Sequence, residues 1–215
     1  MTSDAKERPA PSSPQSDDAA VRLEWICVFC GSTAGEDPRY LDGATLLGQS
    51  LAGRGIGLVY GGSQMGLMGR IADSVLDAGG KVVGVLPEPL QHREVAHRSL
   101  TELVITGSMH ERKAEMARRA DGFIAAPGGL GTIEEFLEVL TWAQLGMHRK
   151  PCGILNTNGY FDPLAAVFDH ALREGFIQTV HREMILSDSD AEGLLDRMQS
   201  FRPPRLPRWI EVGET

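Results

Sequence analysis

The run Pro127-Gly128-Gly129-Leu130-Gly131-Thr132-Ile133-Glu134-Glu135 joins two patterns that could do chemistry together. Three glycines in four residues allow a sharp turn and a close backbone approach to a ligand. The helical pattern that follows begins at about Thr132, aiming free N–H groups and the positive end of a helix dipole at the same place. Such a turn suits a phosphate. It lacks the Gly-Lys-Ser/Thr ending of a P-loop and the first-strand position of the dinucleotide fingerprint. On the helix, Ile133, Phe136, Leu137 and Leu140 recur as a core stripe. Glu134 and Thr141 share another face, and Glu135 points away from the core in the first turn. Two readings of Glu135 follow. Thr132-x-x-Glu135 could be a capping box, or the carboxylate could act on a ligand. Adjacent carboxylates beside a phosphate turn are electrostatically awkward, which favours more than capping, but spacing alone leaves both open.

Two other segments carry similar content. In Gly107-Ser108-Met109-His110-Glu111-Arg112-Lys113, Ser108 reads as an N-cap with Glu111 completing a capping box. Arg112 and Lys113 follow on that helix. Arg suits bidentate contact with carboxylate or phosphate, although a solvated face paired with Glu111 and Glu115 is the simpler reading. In Gly61-Gly62-Ser63-Gln64-Met65-Gly66-Leu67-Met68-Gly69, the glycines suit a close backbone approach or a tight strand-to-helix turn with Gly69 packing closely on the sheet. His110, His148 and His181 lack metal-ligand spacing, and no metal site is expected. Cys27-Val28-Phe29-Cys30 lies in a strand-like run, where residues three apart point to opposite faces. Buried thiols are expected there rather than a redox or zinc pair.

The elements that must position these residues alternate in type. Short apolar runs at Trp25–Phe29, Gly57–Tyr60, Lys81–Val85, Glu102–Ile105, Phe123–Ala126 and Cys152–Leu155 read as six strands, the third ended by Pro87. Helical patterns lie near 38–54, 67–78, 108–120, 131–145, 161–173 and 192–199. Strands apolar on both faces that alternate with helices predict an α/β fold. The expected architecture is a single doubly wound, Rossmann-like domain with a mostly parallel sheet. Ligands bind such sheets beyond the carboxyl ends of the strands, where Gly31-Ser32, Gly61-Gly62 and Gly128-Gly129 fall.

The chain has 215 residues, 42% hydrophobic and 23% charged, which suits one core. Residues 1–20 read as a disordered tail, 21–201 as the nucleotide-binding domain and 202–215 as an extended tail. A net charge of −8 disfavours nucleic acid as a partner. No apolar run could span a membrane or serve as a leader, which points to the cytoplasm.

Together these segments resemble the Lonely Guy family of cytokinin-activating phosphoribohydrolases. The resemblance rests on Val28 to Ser32, Tyr60 to Ser63, Gly66 to Gly69, Met109 to Lys113, Pro127 to Glu135 and Thr141 to Gly146, over about residues 24–200. Ser63 stands where many members have Gly, and Leu130 where many have Tyr. The resemblance implies cleavage of the N-glycosidic bond of a nucleoside 5′-monophosphate, without a cofactor, in a homodimer with active sites near its interface. It implies catalytic roles for Glu135 and Arg112 and a 5′-phosphate held by the backbone of Gly128, Gly129, Leu130, Gly131 and Thr132. Glu94, Lys113, Glu134 and Thr141 would meet the nucleotide, with Gly31, Ser32, Gly61, Gly62 and Met109 lining the same site. A non-catalytic nucleotide or cofactor carrier is the alternative. A pyridoxal-dependent decarboxylase is disfavoured, because Lys6, Lys81, Lys113 and Lys150 are the only lysines available for a Schiff base.

Overall fold

Runs of Val, Ile, Leu and aromatic residues supply seven strands in the computed structural model, which describes residues 22–90 and 96–204. They are β1 (Trp25–Phe29), β2 (Gly57–Tyr60), β3 (Val82–Pro87), β4 (Glu102–Thr106), β5 (Gly122–Ala125), β6 (Cys152–Leu155) and β7 (Ile185–Asp188). Between them run α1 (Arg39–Gly53), α2 (Gly66–Asp77), α3 (Met109–Arg119), α4 (Leu130–Gln144), α5 (Asp162–Arg173) and α6 (Thr179–Glu183), and α7 (Ala191–Ser200) follows β7. The expected N-terminal tail, and residues 205–215 of the C-terminal one, lie outside the described residues.

The strands are all parallel, in the order β4-β3-β2-β1-β5-β6-β7. The α/β, doubly wound reading therefore holds. Side chains alternate across each strand and split the core in two. Ile26, Val28, Leu58, Tyr60 and Ile124 pack on one face with Leu47 and Leu51 of α1, Ile71 and Val75 of α2, and Leu194 and Leu195 of α7. Cys27, Phe29, Val59, Val85, Phe123 and Ile154 pack on the other with Met116 of α3, Phe136 and Val139 of α4, and Phe168 of α5. Each fully buried Leu, Ile or Phe in these layers contributes about 1.5–3 kcal/mol of burial, so the two layers together hold the sheet.

Three sequence expectations need correction. The described residues form seven strands, not six. β7 is an edge strand with only Ile185 well buried, so it lacks the two-sided apolar run that marks the inner strands. β3 continues through Pro87 instead of stopping before it; past Gly84 the strand pairs with β4 alone, so at Pro87 it has a neighbour on one side only and the missing N–H is tolerated as on an edge strand. On α4 the buried residues are Thr132, Phe136, Val139 and Ala143; Ile133 and Leu137 face outward. Among the described residues, no helix is long and apolar enough to cross a membrane.

The strand order reverses between β1 and β5. That is where the loops leaving two neighbouring strands diverge, and it is where a doubly wound sheet opens a crevice for a ligand.

Candidate functional site

The loops after β1 and β5 meet at this switch point. Gly31 N–H donates to the Pro127 carbonyl at 3.0 Å, and Met68 N–H, from the start of α2, donates to the Gly31 carbonyl at 3.2 Å. A Cβ on Gly128 would run into the Thr132 hydroxyl and stand 2.7 Å from the Gly31 nitrogen. Only glycine allows that approach. α4 begins at Leu130, earlier than the sequence suggests, with Gly129 as its N-cap and no side chain capping it. Its first intrahelical bond runs from Ile133 N–H to the Gly129 carbonyl. The N–H groups of Leu130, Gly131 and Thr132 thus precede the helix ladder and form an anion-binding helix start.

This start decides one open question. Thr132 lies inside the first turn with its side chain buried beneath the loop, so it cannot cap α4 and the Thr132–Glu135 capping box is absent. Glu135 instead reaches Arg112, with Oε1 3.4 Å from Nη1.

α3 supplies that arginine. Ser108 caps it, accepting from Glu111 N–H at 3.2 Å. The Glu111 carboxylate accepts from Gly107 N–H at 2.8 Å, one residue before the N-cap. Arg112 is 4% exposed, not on a solvated face. Its Nε donates to the Val85 carbonyl at 3.1 Å and its Nη2 to the Gly61 carbonyl at 3.5 Å. The Met109 sulfur lies 3.9 Å from Nη1. A side chain at Gly61 would collide with the guanidinium, so that glycine makes room for the arginine.

Lys113 is also engaged. Its Nζ donates to Glu134 at 2.7 Å and Glu138 at 3.0 Å. Burial pulls the lysine pKa down, but the two carboxylate bonds outweigh it and the net shift is upward. Consecutive cations on α3 thus answer consecutive carboxylates on α4, which resolves the awkward pairing of Glu134 and Glu135 beside an anion-binding turn. Glu115, expected as a partner of this pair, binds Arg118 and Arg119 instead. Glu138, the Val85 and Gly61 carbonyls and Tyr160 escaped the sequence reading. The first was findable, since it lies four residues from Glu134 on the same helix face.

The remaining residues divide into two groups. Gly31, Ser32, Gly61 and Gly62 line the strand ends, with Gly62 in the left-handed region at φ 81°. Gly69 packs against the Gln64 backbone of its own loop, not against the sheet. Glu94 lies outside the described residues, but the chain resumes next to the site: Ser63 bridges Ala96, and His97 N–H donates to the Gly62 carbonyl at 3.0 Å. Leu130, Glu134 and Thr141 instead share an outer groove of about 630 Å³ with Ile133, Leu137, Glu138 and Trp142. The Thr141 hydroxyl turns back to the Leu137 carbonyl at 2.7 Å. Cys27 and Cys30 are buried on opposite faces of the sheet. Burial and the neighbouring Glu135 charge push both thiols up, so they stay protonated and inert.

A glycine-rich helix start at a switch point, with a largely buried carboxylate–arginine pair beside it, defines an α/β protein whose geometry can accommodate a small phosphorylated ligand. Residues 68–198 match the family model described as "Possible lysine decarboxylase". The chain is 54% identical over 180 residues to a "Probable cytokinin riboside 5′-monophosphate phosphoribohydrolase" of Oryza sativa subsp. japonica, covering 84% of this chain and 81% of the relative. It is 48% identical over 182 residues to a cytokinin riboside 5′-monophosphate phosphoribohydrolase of Arabidopsis thaliana, covering 85% and 84%. The chain belongs to this Lonely Guy family. Among solved structures, the molybdenum cofactor binding protein of Rippkaea orientalis superposes with a TM-score of 0.63 at 24% identity, over 84% of this chain and 98% of that one. That likeness concerns the fold alone.

Proposed function

We propose that the protein hydrolyses the N-glycosidic bond of nucleoside 5′-monophosphates, AMP or its N6-modified cytokinin forms, to free base and ribose 5-phosphate. The observation that carries this reading is the Arg112–Glu135 pair, its side chains 5% and 12% exposed, set beside the α4 start. Glycosidic cleavage runs through an oxocarbenium-like state at C1′. Binding the 5′-phosphate at the N–H groups of Leu130, Gly131 and Thr132 would place the sugar, so remote binding energy positions the reacting centre. Glu135 stabilises the developing cation and accepts a proton from the water that adds to C1′. The electron pair of the C1′–N bond leaves with the base, which takes up a proton from solvent, and Glu135 returns its proton to solvent. Arg112 faces the carboxylate and aims it. Water is the only co-reactant.

Decarboxylation is the weaker reading. A Schiff-base lysine has to lose its proton, whereas Lys113 is held charged by two carboxylates. Lys150 is committed to the Ala117 carbonyl at 2.8 Å. Incubation with AMP and isopentenyladenosine monophosphate should release free base, resolved by reversed-phase chromatography. Retained binding without base release from any nucleoside monophosphate would identify a carrier instead.

The same reading includes a homodimer. The α4 groove leaves Leu130 87% exposed beside the anion site, with Ile133 and Leu137 also outward. An apolar strip of this kind on a net acidic protein suits a second copy of the chain. Leu137→Glu should convert a dimer to a monomer in analytical ultracentrifugation with the circular dichroism spectrum unchanged. A monomeric wild type, or a variant still dimeric, removes α4 from the interface. Three buried, unpaired cysteines suit the reducing cytoplasm, and the acidic charge supports a small-molecule substrate rather than nucleic acid.

A further inference from the structure

The loop after β6 reaches the glycine-rich turn that follows the neighbouring strand β5. Beyond Leu155 the chain makes a one-turn 3-10 segment, Thr157–Gly159, and then Tyr160. The Tyr160 hydroxyl donates to the Gly128 carbonyl at 2.6 Å. This bond joins residues 32 positions apart and ties the glycine-rich turn to an element that has no other part in the proposed chemistry.

The tyrosine is itself held on several sides. Its ring meets Tyr40 edge-on at 5.5 Å and Phe161 edge-on at 4.9 Å. Tyr160 N–H donates to the Thr157 carbonyl at 3.1 Å. Next to it, the Asn156 side chain accepts from Phe161 N–H at 2.7 Å and donates to Asp162 at 2.7 Å. Asn158 takes φ 55°, the one non-glycine residue with positive φ among those described, and donates to Asp37 at 3.3 Å. Backbone in that region is retained where the surroundings over-determine it. The loop after β6 is thereby fastened to the loop after β1, and Tyr160 is a fixed donor.

What that donor controls follows from peptide geometry. The Gly128 carbonyl and the Gly129 N–H belong to one planar trans peptide and point in opposite directions. Fixing the oxygen toward Tyr160 turns the Gly129 N–H away from it and sets the entry angle of the chain into α4. Two consecutive glycines would otherwise let this peptide rotate. We infer that Tyr160 is a positioning residue for the phosphate-binding turn: by holding the Gly128 carbonyl it pre-orients the backbone N–H groups that receive the substrate's 5′-phosphate. The inference rests on the nucleotide reading given above, in which this turn holds the phosphate.

Tyr160→Phe removes the hydroxyl and keeps the ring contacts with Tyr40 and Phe161. The expected result is a rise of about five- to tenfold in KM for AMP and in the inhibition constant of ribose 5-phosphate, the scale of one lost hydrogen bond. The kcat for AMP should stay within about twofold, since the bound turn reaches the same geometry and only the cost of orienting its N–H groups is added to binding. Adenosine, which has no phosphate, should bind and react as with the wild type, so the preference for AMP over adenosine shrinks. Unchanged KM and inhibition constants would overturn the inference. So would equal losses for AMP and adenosine, which would mark a merely structural role. A wild type that binds AMP but releases no base overturns the hydrolase reading alone, and calorimetric AMP affinities of wild type and Tyr160→Phe then decide the role of Tyr160. A wild type that does not bind AMP overturns both.

Discussion

Glu135→Gln should lower kcat for AMP by at least about 10³-fold while AMP affinity stays within about threefold. The size of the effect follows from what Gln lacks. It has the same shape and still presents an oxygen to the Arg112 Nη1 that now lies 3.4 Å from Glu135, so the site should keep its geometry. It carries no charge, so it neither stabilises a cation at C1′ nor takes a proton from water. The proposed phosphate site lies elsewhere, at the start of α4, which is why binding should survive. Removing one negative charge near an anionic ligand could even tighten it. Single-turnover kinetics and calorimetry separate the two quantities. Turnover within about tenfold of wild type removes Glu135 from its role. A parallel loss of affinity and turnover would instead place Glu135 in ground-state binding.

The site was legible to different depths in different segments. The glycine-rich turn was readable because strand, glycines and helix follow one another in sequence, and the structure keeps that order at β5, Gly128 and α4. The bounds of β1, β2 and β6 were equally plain, each being an apolar run closed by polar or glycine residues. Arg112 was harder. Its neighbours Glu111, Lys113 and Glu115 make α3 look like a solvated surface, yet Arg112 shares a face with Met116, four residues on, and both are buried. An arginine inside an apolar stripe was the available signal. Its acceptors, the carbonyls of Val85 within β3 and Gly61 just after β2, are main-chain atoms, and no side-chain pattern announces them. Tyr160 gave no local signal either, because it follows β6 while its partner follows the neighbouring strand β5, and only the pairing of those strands brings them together. The outward turn of Ile133 and Leu137 could not be told from a core stripe by periodicity, since an apolar groove and a core stripe use the same residue types at the same spacing.

Arg112→Met should damage fold and turnover together, costing about 3 kcal/mol of stability and at least about 10²-fold in kcat. Methionine fills much of the same volume but takes the guanidinium away from the Val85 carbonyl, the Gly61 carbonyl and Glu135. A buried carbonyl that loses its donor carries the desolvation cost of an unmade hydrogen bond. The Glu135 side chain, 12% exposed, loses the guanidinium that faces it, and with it the contact that aims the carboxylate. Denaturant titrations read the stability directly. A loss below about 1 kcal/mol would mean that the two carbonyls are satisfied without the guanidinium and that Arg112 acts through Glu135 alone. Arg112→Lys separates charge from shape. An ammonium restores a point charge but lacks the fork that meets acceptors on three sides, so it should recover part of the stability and little of the turnover. Recovery of more than about half of kcat would show that a cation near Glu135 suffices and that the guanidinium geometry is dispensable.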